Sequence, residues 1–194
     1  VGLGCAAGPS GRSVAGADTL VLRHAGGETT SASAGRLQLE STRRAARRYA
    51  AGERRLGAGS RVSALQASVY YVSPDSTGEP GRPSLRRKRL VGGTRPAFED
   101  EELLPGVADL QVEFGLAAGD GAAERYVAPS AVPAGATVRS VRLWLLLRSD
   151  RREARDIEQP ALAYADRAWP AERSRLRRLL ATRSVALRNA EPRP

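Results

Sequence analysis

Apolar and polar positions alternate most clearly between Glu101 and Leu116, EELLPGVADLQVEFGL. Leu110, Val112 and Phe114 interleave with Gln111, Glu113 and Gly115, a period of two that predicts a half-buried β-strand entered from the Pro105-Gly106 break. The same reading predicts strands at Asp18–His24, Leu37–Glu40 and Val62–Ser73, the last strengthened by the β-propensity of Val69, Tyr70, Tyr71 and Val72. The breakers in Pro74–Pro83 predict a turn, with a return strand at Leu85–Leu90. Val138–Arg148 predicts a long strand, and its apolar run from Leu143 to Leu147 implies burial on both faces, as in a central strand. A last strand is expected at Ala181–Leu187.

Three stretches break the alternation. Ala25–Gly35 reads as a Gly/Ser/Thr loop, and Arg151–Arg173 as charged and irregular. Arg43–Leu56 has a helical composition, yet Arg43/Arg47 and Arg44/Arg48 would repel at i,i+4. A short helix or an irregular basic excursion is expected there. The fold class is therefore α+β, mainly antiparallel β, in a single domain over residues 1–194, with an entry loop at 1–17 and a β-rich body at 18–194.

At 194 residues the chain is long enough to bury a core without disulfides or metals. Aromatics are only 5%, so that core must rest on Leu, Val and Ala. The net charge of +10 taken alone points to nucleic acid or an anionic surface. The basic residues are nearly all Arg, with Lys88 the single Lys, Ile157 the single Ile and no Met. A GC-rich genome produces that bias without any binding role. Two clusters are still candidate anion or partner contacts: Arg43, Arg44, Arg47 and Arg48, and then Arg86, Arg87, Lys88 and Arg89. Arg54 and Arg55 extend the first, and Tyr49 beside it could stack on a base.

Reaction chemistry is poorly supplied. The single His, His24, sits at a predicted strand end, and no nucleophile elbow of the GxSxG form is present. One His and one Cys, Cys5, cannot furnish a zinc site or an intramolecular disulfide. Glu99, Asp100, Glu101 and Glu102 could supply oxygens to calcium, though the plainer account places them at the positive end of a short helical turn before Pro105. No phosphate-cradling glycine loop occurs. No catalytic residue, metal or cofactor is expected.

The segment GVADLQVEFG, residues 106–115, resembles the "GV-DLQVEYG" stretch of PilW-like minor pilins of type IV pili. GADTLVLRHA, ASVYYVS, VRSVRLWLLLRSD and RRLLATRSVALRN stand in matching order and extend the resemblance over most of the chain. It implies a pilin-like globular head, related in form to the J-type pseudopilin of type II secretion. It also implies an apolar N-terminal helix anchored in the inner membrane. No run here approaches the roughly 18 apolar residues that crossing requires, and the sequence does not start with Met, so that helix is expected to precede Val1. The implied function is to join other minor pilins, and often a tip adhesin, in a complex that primes the fibre and ends at or near its extracellular tip. Family heads often carry further cysteines, and with Cys5 alone no family disulfide can form. Two alternatives are a nucleic-acid-binding pilus subunit serving DNA uptake and a pseudopilin with secretion partners.

Overall fold

The computed structural model describes residues 13–29, 35–49, 59–117 and 125–187. Fourteen strands, all paired antiparallel, account for most of them. The first sheet is built on the long strand β4, Arg61–Ser73. One side of β4 pairs end to end with β2, Gln38–Ser41, and β5, Ser84–Val91. Its other side pairs with β1, Leu20–Thr29. The sheet is completed by β3, Ala46–Tyr49, on β2 and by β6, Ala97–Pro105, on β5.

Gly106 hands the chain to the second sheet. Its φ of +82° lies in the left-handed region, and a Cβ there would come within 2.7 Å of the Arg148 carbonyl oxygen, so no side chain fits. The Gly106 N–H donates to the Pro83 carbonyl and its own carbonyl accepts from the Arg148 N–H, both at 2.7 Å. The second sheet then runs β14-β9-β7-β8, from Arg178–Ala186, Val138–Arg148, Val107–Leu116 and Arg125–Val127 respectively. Between β9 and β14 lies an arm of two ribbons. In it β10, Ile157–Gln159, pairs with β13, Glu172–Ser174, and β11, Leu162–Tyr164, pairs with β12, Arg167–Trp169.

Leu and Val from the two sheets form the core. Val72 meets Val107, Leu110, Val112 and Val141, with Leu20, Leu85, Leu143 and Leu145 packed around them. The described end of the entry loop runs against the same core: Val14 packs there, and the Val14 N–H donates to the Val72 carbonyl at 2.9 Å. Leu146, 1% exposed, is the most deeply buried Leu among the described residues, and such burial contributes about 2–3 kcal/mol.

Several expectations need correction. The fold is mainly antiparallel β rather than α+β; the helix among the described residues is one 3-10 turn, Pro129–Ala131. Arg43–Tyr49 is neither helix nor irregular but a hairpin: the Thr42 hydroxyl accepts from the Arg44 and Ala45 N–H groups, turning β2 into β3. A strand also separates the Arg side chains that a helix would have stacked at i,i+4. Residues 50–58, including Arg54 and Arg55, lie outside the described residues. The Ala25–Gly35 loop starts later than expected, because β1 continues to Thr29. The irregular stretch at 151–173 holds the ribbon arm, its tip turned by Ala165 at a φ of 48°. Central β9 is buried at Ser140, Val141 and Leu146, whereas Leu143, Trp144, Leu145 and Leu147 are half-buried.

Candidate functional site

The second basic cluster lies on β5, and the acidic cluster lies opposite it on β6. The acidic residues form no helical turn. The register pairs Arg86 with Glu102, Arg87 with Glu101, Lys88 with Asp100 and Arg89 with Glu99. Pro105 and Gly106 reverse the chain only after β6, so the carboxylates face cations instead of a helix end. The Arg86 Nε donates to Asp100 Oδ1 at 2.8 Å, and its Nη1 to Glu102 Oε2 at 3.4 Å and to Thr77 Oγ1 at 3.2 Å. Arg87 pairs with Glu101, and Arg89 lies 3.9 Å from Glu99. Tyr71, fully buried, donates its hydroxyl to Asp100 Oδ2 at 2.5 Å, and the Lys88 ammonium sits 5.7 Å from the Tyr71 ring centroid.

Charge and burial tune this ladder. Burial raises the Tyr71 hydroxyl pKa well above its ordinary value, and the Asp100 carboxylate raises it further. Burial also pushes Glu102 up. The Thr77 N–H, the Ser76 and Ser84 hydroxyls and Arg86 outweigh that and hold it below the usual carboxylate range. Three arginines are thus ion-paired with the four carboxylates, Lys88 lies over the Tyr71 ring, and the strand that looked most like an anion site carries its own counterions.

The first cluster is arranged differently. Arg43 and Arg44 lie in the exposed turn between β2 and β3, and Arg48 is exposed on β3. Among the described residues none of these three has a carboxylate within ion-pair reach. Arg47 stands across from Glu40 in the β2–β3 register. Glu40 is fully buried and accepts from the Ser60 hydroxyl at 2.6 Å. The side chain of Tyr49 lies outside the described residues. The structure therefore separates the two basic clusters: the arginines of one are ion-paired within the sheet, while Arg43, Arg44 and Arg48 of the other are exposed on a hairpin.

The alternation along β7 misleads at Gln111, because both faces of the strand are covered. Asp109 is fully buried and Gln111 nearly so. Tyr164, from the ribbon arm, donates to Asp109 Oδ2 at 2.7 Å. Gln111 Nε2 donates to Asp109 Oδ1 at 3.1 Å and to the Gly16 carbonyl at 2.8 Å. Arg167 lies 3.7 Å from the same carboxylate, while its buried Nε makes no hydrogen bond. The Trp144 ring lies 6.0 Å from Tyr164, and its Nε1 donates to Glu113 at 2.7 Å. Asp18 accepts from the Val112 N–H at 2.9 Å; burial raises its pKa, with Asp166 and Asp109 adding to the effect. This cluster fastens the arm and the entry loop to the second sheet. Its sequence signal was Asp109 directly before a strand of otherwise alternating pattern, with Tyr164 as a distant partner that no local rule reveals.

His24 lies within β1 rather than at its end, exposed and opposite Gln66. It lines a groove of about 600 Å³ with Leu22, Arg36, Gln66, Tyr70 and Arg89, on the face of β4 that Val72 shares farther along. Ser68 also lines the groove, but no carboxylate does. No group of three or more His, Cys, Asp or Glu that could hold a metal occurs among the described residues, and Cys5 lies outside them. No described helix is long and apolar enough to cross a membrane.

Two antiparallel sheets, an internally compensated ladder and a projecting basic hairpin make the described residues a mainly antiparallel β structure whose distinctive features are surfaces. Residues 69–189 match the family model for Type IV Pilus-assembly protein W, and the chain belongs to that family. The match supports a role in type IV pilus assembly and a place in the cell envelope. No curated protein and no solved structure matches the chain. The matched span holds β5 to β14 whole; β1, β2, β3 and the start of β4 precede it. The ladder thus falls inside the matched span, and the Arg43–Arg48 hairpin outside it.

Proposed function

We propose that the chain is the head of a minor pilin that primes type IV pilus assembly from the inner membrane and ends at or near the pilus tip. It acts by binding other minor pilins and, with them, a tip adhesin, cleaving no bond. The observation that carries this reading is the family match across the whole second sheet and the ladder. Within the cluster Arg43, Arg44, Arg47 and Arg48, we assign Arg43, Arg44 and Arg48 as the contact for an acidic neighbouring subunit, because theirs is the charge that the hairpin leaves exposed, whereas Arg47 lies across from Glu40. An anchoring helix ahead of Val1 would confine partners in the membrane and raise their effective concentration, so head-to-head contacts need be no tighter than about micromolar, near −8 kcal/mol. Deleting the gene should sharply reduce surface pili, and restoring it should recover them. Normal piliation in the deletion strain overturns the proposal.

The projecting hairpin also favours a second reading, a pilus subunit that binds DNA. Phosphate contacts would make its affinity fall steeply with salt. Weak binding, about 10⁻⁴ to 10⁻⁶ M near physiological salt, is what any basic protein gives. Submicromolar binding that disappears when all four arginines become Ala would select DNA over an acidic protein.

A further inference from the structure

The β14 edge of the second sheet is unlike the edges of the first. In the first sheet, β6 carries four carboxylates and a register shift opposite Leu85/Arg86, β1 is broken by a shift between Ala25 and Thr29, and β3 is four residues long. Edges are commonly blunted by such charges, bulges and short lengths. In contrast, β14 pairs with β9 over nine residues without a shift, and it contains no Pro, Gly or Lys.

Its unpaired groups can be named. The Leu187 N–H donates to the Arg139 carbonyl, and the Ser149 N–H to the Arg177 carbonyl, which fixes the odd-numbered residues as those bonded to β9. The even-numbered ones therefore direct their N–H and C=O groups outward. The first of these, the Arg178 N–H, is already taken by Gln159 Oε1 at 3.1 Å. The backbone groups of Leu180, Thr182, Ser184 and Ala186 meet no partner among the described residues. Beside that edge Leu179 is 64% exposed and Val185 47%. Arg183, between them, and Arg139, at the strand end, have no acidic partner among the described residues.

We infer that β14 is a docking edge that adds a strand from an acidic, apolar-alternating segment of another pilus assembly subunit. Main-chain hydrogen bonds would complete the ladder, apolar side chains would cover Leu179 and Val185, and carboxylates would meet Arg183 and Arg139. Pairing with a second copy would oppose like charges on chains of +10 each. The inference rests on the assembly reading above.

The test uses a synthetic peptide of the length of β14 in which Val alternates with Glu, and a counterpart with Lys in place of Glu. The Glu peptide should bind at least about tenfold tighter than the Lys peptide and perturb the amide resonances of Leu180, Thr182 and Ser184. Thr182→Pro removes an outward N–H without touching the β9 ladder, and should weaken binding about tenfold while the melting curve is kept. Arg183→Glu, which does not disturb the backbone, should reverse the preference between the two peptides. Unchanged binding by a folded Thr182→Pro protein, or an Arg183→Glu protein that keeps its preference, overturns the inference. So does a dimer of the wild-type chain that Thr182→Pro dissolves, which would assign the edge to a second copy. If the gene deletion abolishes pili but the Thr182→Pro strain is fully piliated, the edge fails and the assembly reading stands. If the deletion strain is normally piliated, the assembly reading fails while peptide binding still judges the edge.

Discussion

Two basic runs in this chain look alike as sequence and differ in what they can do. Arg86-Arg87-Lys88-Arg89 and Arg43-Arg44-Ala45-Ala46-Arg47-Arg48 would each suggest an anion site. The β5–β6 register gives every cation of the first run a carboxylate directly opposite, and Arg86 is buried among Asp100, Glu102 and Tyr71. The hairpin of the second run gives Arg43, Arg44 and Arg48 no such neighbour. A charge run is therefore a statement about partners: in one sheet position it is structural, at a hairpin tip it is surface. The difference also coincides with the boundary of the family match at residue 69.

The comparison is tested most sharply by removing one Arg from each run. Arg86→Ala should cost about 1.5–3 kcal/mol in a urea melt, because it removes the hydrogen bonds of a buried guanidinium to Asp100 and Glu102, which are themselves partly exposed. Arg44→Ala should stay within about 0.5 kcal/mol. Equal losses would erase the distinction. Tyr71→Phe probes the same ladder from its buried side and should cost about 1 kcal/mol, the net worth of the hydrogen bond to Asp100. No loss would mean that Asp100 is held by Arg86 alone.

Acid should unpick the ladder before it affects the hairpin. The Glu102 pKa is lowered in the fold, so its stabilisation is fully present above the ordinary value of 4.5 and is lost as pH falls through the lowered one. Denaturation midpoints should fall over that window, and Glu102→Gln should flatten the fall. An unchanged pH profile in that variant would remove Glu102 from the account. A similarly small effect on stability is expected from the threefold Arg43/Arg44/Arg48→Ala variant, which spares Arg47 opposite Glu40. It should melt close to wild type while losing most salt-sensitive binding to polyanions or acidic partner heads. An Arg87→Ala/Arg89→Ala variant with the larger binding loss would invert the comparison.

The strands whose identity is carried by local pattern were legible in the sequence. The Val69–Val72 propensity, the breakers at Pro74–Pro83 and Pro105-Gly106, and the apolar run at Leu143–Leu147 predict β4, β5, β7 and β9 with small shifts at their ends. The pleat has a period of two that any single strand displays by itself. What those residues face was not legible. Whether Gln111 meets water or a buried Asp109, whether Glu99–Glu102 cap a helix or neutralise β5, and whether Arg43–Arg48 coil or form a hairpin depend on groups far away along the chain. Asp109 is completed by Tyr164, 55 residues on, and Gln111 by Gly16, 95 residues back. Pattern determines that a strand forms, because sterics and burial period act between neighbours; register and cover determine what the strand presents, because they are settled only when distant strands pair.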